Sequence, residues 1–153
     1  MIPLDEIDRR LLNMLQEDCK RTTKAYATAL RLSTTAVFER IRKLERLNVI
    51  SRYVALVDKK SVLKSFTVFC HVKLLQHTKE NVLRFERQVQ QLEEVQECYH
   101  ISGYYDYILR INVADMQSYR QFMVNKLTAI DQIGSTQSSF GINEVKNTTA
   151  ILL

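Results

Sequence analysis

Apolar residues recur at helical spacing through the first third of the chain. Leu4, Ile7, Leu11, Leu12 and Leu15 predict a helix over residues 5–18. Asp5 stands where it can cap that helix, and its charge suits a helix N-terminus. A shorter helix is expected over 23–30, with Thr22 or Thr23 as cap and Ala25, Ala27 and Leu30 as packing residues. Ser33 caps a third helix over 34–47, in which Val37, Ile41, Leu44 and Leu47 form one apolar stripe. Its opposite face carries Thr34, Thr35, Glu39, Arg42, Lys43 and Arg46. From Val49 the period changes from helical to alternating, and residues 50–57 read as a strand. Residues 58–65 are polar enough for a linker.

Beyond the linker the pattern reads strand, helix, strand, strand, helix, strand. The first strand, 66–75, alternates Phe66, Val68, Cys70, Val72 and Leu74. A helix over 79–92 buries Val82, Phe85, Val89 and Leu92. Strands are expected over 95–102 and 105–113, the second alternating Tyr105, Tyr107, Leu109, Ile111 and Val113. A helix over 115–129 turns Met116, Tyr119, Phe122, Met123 and Leu127 inward, and a last strand covers 135–146. The βαββαβ order is the ferredoxin-like arrangement, so the fold class is α+β. Such a unit leaves one sheet face bare, and the apolar alternation at 66–74 and 105–113 offers surfaces for a second subunit. The expected domains are 1–50, then a hinge strand and linker over 51–65, then 66–153.

Charge sharpens this picture. The chain of 153 residues has a formal net charge of +5. Residues 1–52 hold 11 Lys/Arg against 7 Asp/Glu, while residues 53–153 hold 11 against 10. A basic excess confined to the helical third is the footprint of a polyanion binder. Three short helices with a tight turn between the second and third make a helix-turn-helix, whose third helix enters the major groove of double-stranded DNA. Thr34 and Thr35 lie at its N-terminal end, where base contacts form. Phe38 lies beside the polar face, able to touch a thymine methyl or to pack on a neighbouring helix; Glu39 lies on that face. Arg40, Arg42 and Lys43 are candidates for phosphates or guanine. A solvated amphipathic surface helix would show the same charges. The strand that follows serves as a wing with Arg52 on a phosphate, or only as a linker strand pairing with a partner subunit.

Other chemistries find little support. Cys19, Cys70 and Cys98 are odd in number and far apart, which fits a reducing cytosol and neither a disulfide framework nor a zinc site. His71, His77 and His100 have no metal-ligand spacing, and there is neither a nucleophile elbow nor a phosphate-binding glycine loop. Catalysis, a metal and a cofactor are therefore not expected. Cys98 and His100 share a strand face, which a thiol sensor would use, but free cysteines are commonly buried and a core cysteine is the reading expected. No apolar run is long enough to span a bilayer, and a cytoplasmic protein is expected.

The chain resembles the Lrp/AsnC family, the feast/famine transcription regulators. The resemblance is carried by L-D-E-I-D-R-R-L-L at 4–12, L-S-T-T-A-V-F-E-R-I-R-K-L-E at 32–45 and N-V-I-S-R-Y-V-A-L-V-D at 48–58. It continues with S-G-Y-Y-D-Y at 102–107, V-A-D-M-Q-S-Y at 113–119 and E-V-K at 144–146. It implies a winged helix-turn-helix, a hinge strand and a ferredoxin-like domain that forms a homodimer and then a tetramer or octamer. It also implies a regulator whose oligomeric state or DNA affinity responds to a small effector, an amino acid or a similar molecule, bound between subunits. Carried over by position, the effector region falls at Gly103, Tyr104 and Asp106 in a loop between strands, at Met116, and at Thr136, Ser138 and Phe140 in the last strand. A glycine allows close backbone approach to a ligand, and a carboxylate accepts bonds from an α-ammonium group. A simple hairpin turn capped by Asp106 would also explain that loop. Two departures stand out: Arg31 where the family often has glycine in the turn, and Thr34 where it often has proline after the capping serine. An architectural DNA-binding protein that needs no ligand is the other reading of the same oligomer.

Overall fold

A computed structural model describes residues 3–153, so the first two residues of the expected DNA-binding domain lie outside the described residues. The chain divides into two compact units. One comprises the chain up to Leu56 together with Val145–Leu153, and the other is Val57–Glu144. Residues 145–153, expected with the C-terminal domain, thus cluster with the helical unit.

The helical unit holds α1 (Glu6–Glu17), α2 (Thr23–Leu30) and α3 (Thr34–Arg46). Each starts on a side-chain cap that satisfies an otherwise orphan backbone N–H. Asp5 accepts from Asp8 N at 2.7 Å, Thr22 from Ala25 N at 3.2 Å and Ser33 from Ala36 N at 3.1 Å. The core is Leu11, Leu12, Leu15, Tyr26, Ala27, Leu30, Val37 and Leu44. Two details differ from the sequence pattern. Ala25 is exposed and the neighbouring Tyr26 is buried instead, its hydroxyl donating to the Asp18 carbonyl at 2.6 Å. Leu47 lies past the end of α3 and is exposed. The turn between α2 and α3 closes on Arg31 in the left-handed conformation, φ 57° and ψ 44°. Glycine would adopt this without penalty, so the turn survives the arginine at a cost of roughly 1 kcal/mol.

The strand expected at 50–57, and with it the wing, does not form. Tyr53, Val54, Leu56 and Val57 are exposed. Alternation makes this stretch extended, but a strand exists only against a neighbour, and the described residues offer it no ladder. Residues 145–153 return to α1 in a different way. The Asn13 carboxamide donates to Leu153 O and accepts from Leu153 N, both at 3.2 Å. The Gln16 carboxamide does the same with Ile151, at 2.9 and 2.7 Å.

The second unit is a four-stranded antiparallel sheet with strand order β2-β3-β1-β4. Its elements are β1 (Phe66–Leu74), α4 (Lys79–Val89), β2 (Val95–His100), β3 (Tyr107–Val113), α5 (Met116–Phe122) and β4 (Ile133–Phe140). A π-helical turn, Met123–Leu127, extends α5. This is the expected ferredoxin-like order. Val68, Cys70, Val72 and Leu74 of β1 and Tyr107, Leu109, Ile111 and Val113 of β3 pack with Phe85 and Val89 of α4 and with Tyr119 and Phe122 of α5. The apolar alternation therefore faces the unit's own helices, which corrects its expected role as a subunit surface. The opposite face carries the other alternate residues, Thr67, Phe69, His71 and Lys73 on β1 and Ile108, Arg110 and Asn112 on β3. β4 ends at Phe140 rather than 146, and β3 begins at Tyr107 rather than 105. Tyr105 instead precedes the strand, its hydroxyl donating to Gln137 Oε1.

Candidate nucleic-acid interface and effector region

In the helical unit, α3 presents Thr34, Thr35, Phe38, Glu39, Arg42 and Arg46 as an exposed row. The Arg42 guanidinium lies 4.9 Å from the Phe38 ring centroid, an arrangement that holds the arginine out from the helix. Ser33 spends its hydroxyl on the cap, so α3 enters the exposed row with a fixed first turn. Arg52, in the extended stretch beyond α3, is exposed as well.

Arg40 and Lys43 differ from the rest of the predicted DNA-contacting set. Arg40 Nη1 lies 2.6 Å from Asp8 Oδ1 and 2.7 Å from Asp5 Oδ2. Lys43 Nζ lies 3.3 Å from Asp8 Oδ2. Asp8 is fully buried. A buried carboxylate must be paired, and here both oxygens are. Bonds to Asp5 and then Asp8 push the Arg40 guanidinium above its already high range. The Asp8 amide and then Arg40 hold the Asp5 carboxyl below the usual carboxylate range. Sequence reasoning missed Asp8. The signal was present, because Asp8 is four residues from both Leu4 and Leu12 and so falls inside the apolar stripe of α1.

The second unit holds the predicted effector residues in two places. Gly103, φ 137°, and Tyr104 lie in the β2–β3 turn and are exposed. Lys73 Nζ lies 4.0 Å from the Tyr104 ring centroid. Asp106 is buried at the end of this turn. Its Oδ2 accepts from Leu74 N at 2.7 Å, and His77 Nε2 lies 3.2 Å from its Oδ1. Its own N–H donates to Val72 O at 2.9 Å. In this subunit, then, Asp106 ties the turn to the end of β1. Thr136 pairs with Val72, the residue whose carbonyl takes the Asp106 N–H, while Met116, Ser138 and Phe140 lie at α5. Met116 opens that helix and is half exposed. Ser138 Oγ bonds the Tyr119 hydroxyl at 2.5 Å, and Phe140 meets the Tyr119 ring edge-on at 5.7 Å. Thr136, Ser138 and Phe140 pair in register with Val72, Cys70 and Val68. At about 3.4 Å per residue, Phe140 is roughly 14 Å along the sheet from Thr136.

A separate groove of ≈ 380 Å³ lies between α4 and β2, with Glu86, Val89, Cys98, His100 and Tyr107 among its lining. Cys98 is exposed, not the expected buried core cysteine; partial desolvation first, and then the Glu86 charge, push its thiol up to about 11. It is a protonated thiol at neutral pH, not the low-pKa group a redox sensor needs. Among the described residues no group of three His, Cys, Asp or Glu is placed to hold a metal ion, and no helix is long and apolar enough to cross a membrane.

Two family models match this chain: the AsnC-type helix-turn-helix domain over residues 4–45 and the Lrp/AsnC ligand binding domain over residues 67–151. The chain belongs to the Lrp/AsnC family. It is thus a transcription regulator of the Lrp/AsnC type, with the helix-turn-helix in the first unit. Relatives include the DNA-binding transcriptional activator DecR of Escherichia coli strain K12, 34% identical over 148 residues and 97% of each chain. The leucine-responsive regulatory protein of the same strain is 34% identical over 150 residues, 98% of this chain and 92% of that one. Among solved structures, an AsnC family transcriptional regulator from Agrobacterium tumefaciens superposes with a TM-score of 0.93 at 36% identity, over 97% of this chain and 96% of that one. A transcriptional regulator from Neisseria meningitidis, solved as its L-Met complex, gives 0.93 at 28% identity with the same coverage.

Proposed function

We propose that this chain is a sequence-specific regulator that reads double-stranded DNA as a cytoplasmic homodimer, assembles further to a tetramer or octamer, and changes its assembly or DNA affinity on binding an amino acid. The observation that carries the DNA reading is the exposed row on α3, set by the Ser33 cap, with Thr34 and Thr35 at its leading end. Thr34, Thr35, Phe38 and Glu39 face base edges, and Arg42 and Arg52 take phosphates. Two such helices about a two-fold axis read half-sites roughly 34–36 Å apart. Gel shifts on DNA upstream of the protein's own gene test this reading. Binding is expected at low salt, with Arg42→Ala lowering the salt slope by about 0.9 for each phosphate it no longer neutralises. No binding at low salt overturns it.

For the effector, the division of the predicted residues between two places supports a site shared by two subunits. The turn at Gly103, Tyr104 and Asp106, with Thr136 near it, belongs to one subunit, and a facing subunit closes the pocket. The Neisseria relative's complex with L-Met supports an amino acid as ligand class. A thermal-shift series over the proteinogenic amino acids tests it, because a ligand of the native state raises stability by mass action. No shift with any of them favours the ligand-free architectural reading.

A further inference from the structure

Asp8 is the third residue of α1, yet it serves α3. Its carboxylate is fully buried, one oxygen on Arg40 and the other on Lys43. Asp5 adds a second carboxylate to Arg40. Four charges thus close on themselves, two of each sign. Of the four cations on α3, Arg40 and Lys43 are paired with carboxylates of their own subunit, Lys43 at the solvent-facing rim of the cluster, while Arg42 and Arg46 point outward. This matters for a DNA-binding helix, because every cation that reaches a phosphate adds affinity for all sequences alike. Specificity is a ratio, and withholding such contacts raises it.

We infer that Asp8 is a specificity-determining positioning residue: by holding Arg40 and Lys43 against α1, it fixes the tilt of the recognition helix and denies two cations to non-specific phosphate contacts. This rests on α3 being the DNA-docking element. The position of the cluster fits both roles. Arg40 and Lys43 are three residues apart on one helix flank, so a single carboxylate grips two successive turns. Arg42 and Phe38 lie on the other side, where the guanidinium meets the aromatic ring rather than a carboxylate.

The test uses the full-length protein and two DNA duplexes, the native upstream region and a scrambled one of equal length, titrated across a salt series. Lys43→Gln leaves the Arg40 pair in place and is the variant least disturbing to the fold. Its non-specific salt slope should equal that of the parent protein, whereas a phosphate-contacting lysine would flatten the slope by about 0.9 per subunit. Asp8→Asn keeps shape but releases charge. It should bind scrambled DNA severalfold more tightly, steepen the salt slope by about 0.9 per cation released, and lose discrimination between the duplexes. Adding Lys43→Gln to Asp8→Asn should take back part of that gain, an effect no purely structural role produces. A flattened slope for Lys43→Gln, or a folded Asp8→Asn that weakens on both duplexes in parallel with an unchanged slope, overturns the inference. If the parent protein binds neither duplex, the fault lies instead with α3 as docking element.

Discussion

The two units of this protein answer the same physical problem at different degrees of completeness. The helical unit is finished within one chain. Its three caps are satisfied, its core is continuous, and the face of α3 stands ready with its charges already sorted. The sheet unit is finished only on one side. Its helices cover one face of the sheet, while the other face carries Phe69, His71, Lys73, Ile108 and Arg110, and the predicted effector residues fall at separate places. Reading DNA needs a preformed surface that adds no ordering cost at the moment of binding. The proposed sensing site would form only when copies meet, which would link ligand and assembly.

The sharpest way to separate the units is to destroy one. Val37 is fully buried between the helices. Val37→Asp places a charge there with no partner, which costs several kcal/mol and exceeds what a unit of this size can lose. DNA binding should vanish in gel shifts while calorimetry still records a transition for the sheet unit. Loss of both transitions would mean that the two units are one cooperative structure. Next in size is Asp106→Ala, which strips Leu74 N of its acceptor at 2.7 Å. Leaving that buried donor unmet costs about 1–3 kcal/mol. The sheet unit should melt lower and the amino-acid response should disappear, with DNA binding by the unliganded protein retained. An effector response of unchanged affinity would remove Asp106 from the site.

Smaller effects probe how finished the helical unit is. Ser33→Ala removes the cap of α3 and should cost about 1 kcal/mol. It should also blur sequence preference, because the first turn carries Thr34 and Thr35; unchanged preference in a binding-site selection would detach the cap from reading. The least effect is on acid stability. The folded Asp5 carboxyl titrates below its unfolded value. Its contribution is therefore present above the unfolded pKa of about 4 and is lost as pH falls through the lower, folded value. Asp5→Asn should flatten the acid limb of a stability profile in that window and leave neutral pH little changed beyond the cap.

Most of the architecture was legible because each period matched one buried face. Helical spacing marked α1 and α3, and strict alternation marked β1 and β3, whose apolar residues meet their own helices. The failures were of partner, not of period. Residues 50–57 alternate correctly but have no neighbouring strand among the described residues. Tyr26 went unread between the alanines; it can be buried because a carbonyl eight residues back takes its hydroxyl. Arg40 and Lys43 read as free cations because their carboxylate lies 32 and 35 residues away, beyond any local pattern. For the effector region the motif was visible, yet the turn and the α5 flank could not be placed relative to one another without the register of β4 against β1.

The return of residues 145–153 to α1 bears on how the protein can be dissected. Asn13 bonds both the backbone N–H and the backbone O of Leu153, and Gln16 does the same with Ile151; such groups are offered by any residue. The docking is blind to side-chain identity, as the outward-facing Ile151 and Leu152 show. Substitutions along this stretch should pass unnoticed, whereas deleting it leaves two carboxamides facing water. The chain also crosses between its two units twice, at residues 56–57 and again at 144–145. A single scission after residue 56 therefore cannot excise the DNA-reading unit intact. A faithful fragment would have to splice the last nine residues back onto the first 56, as a permuted or two-piece assembly.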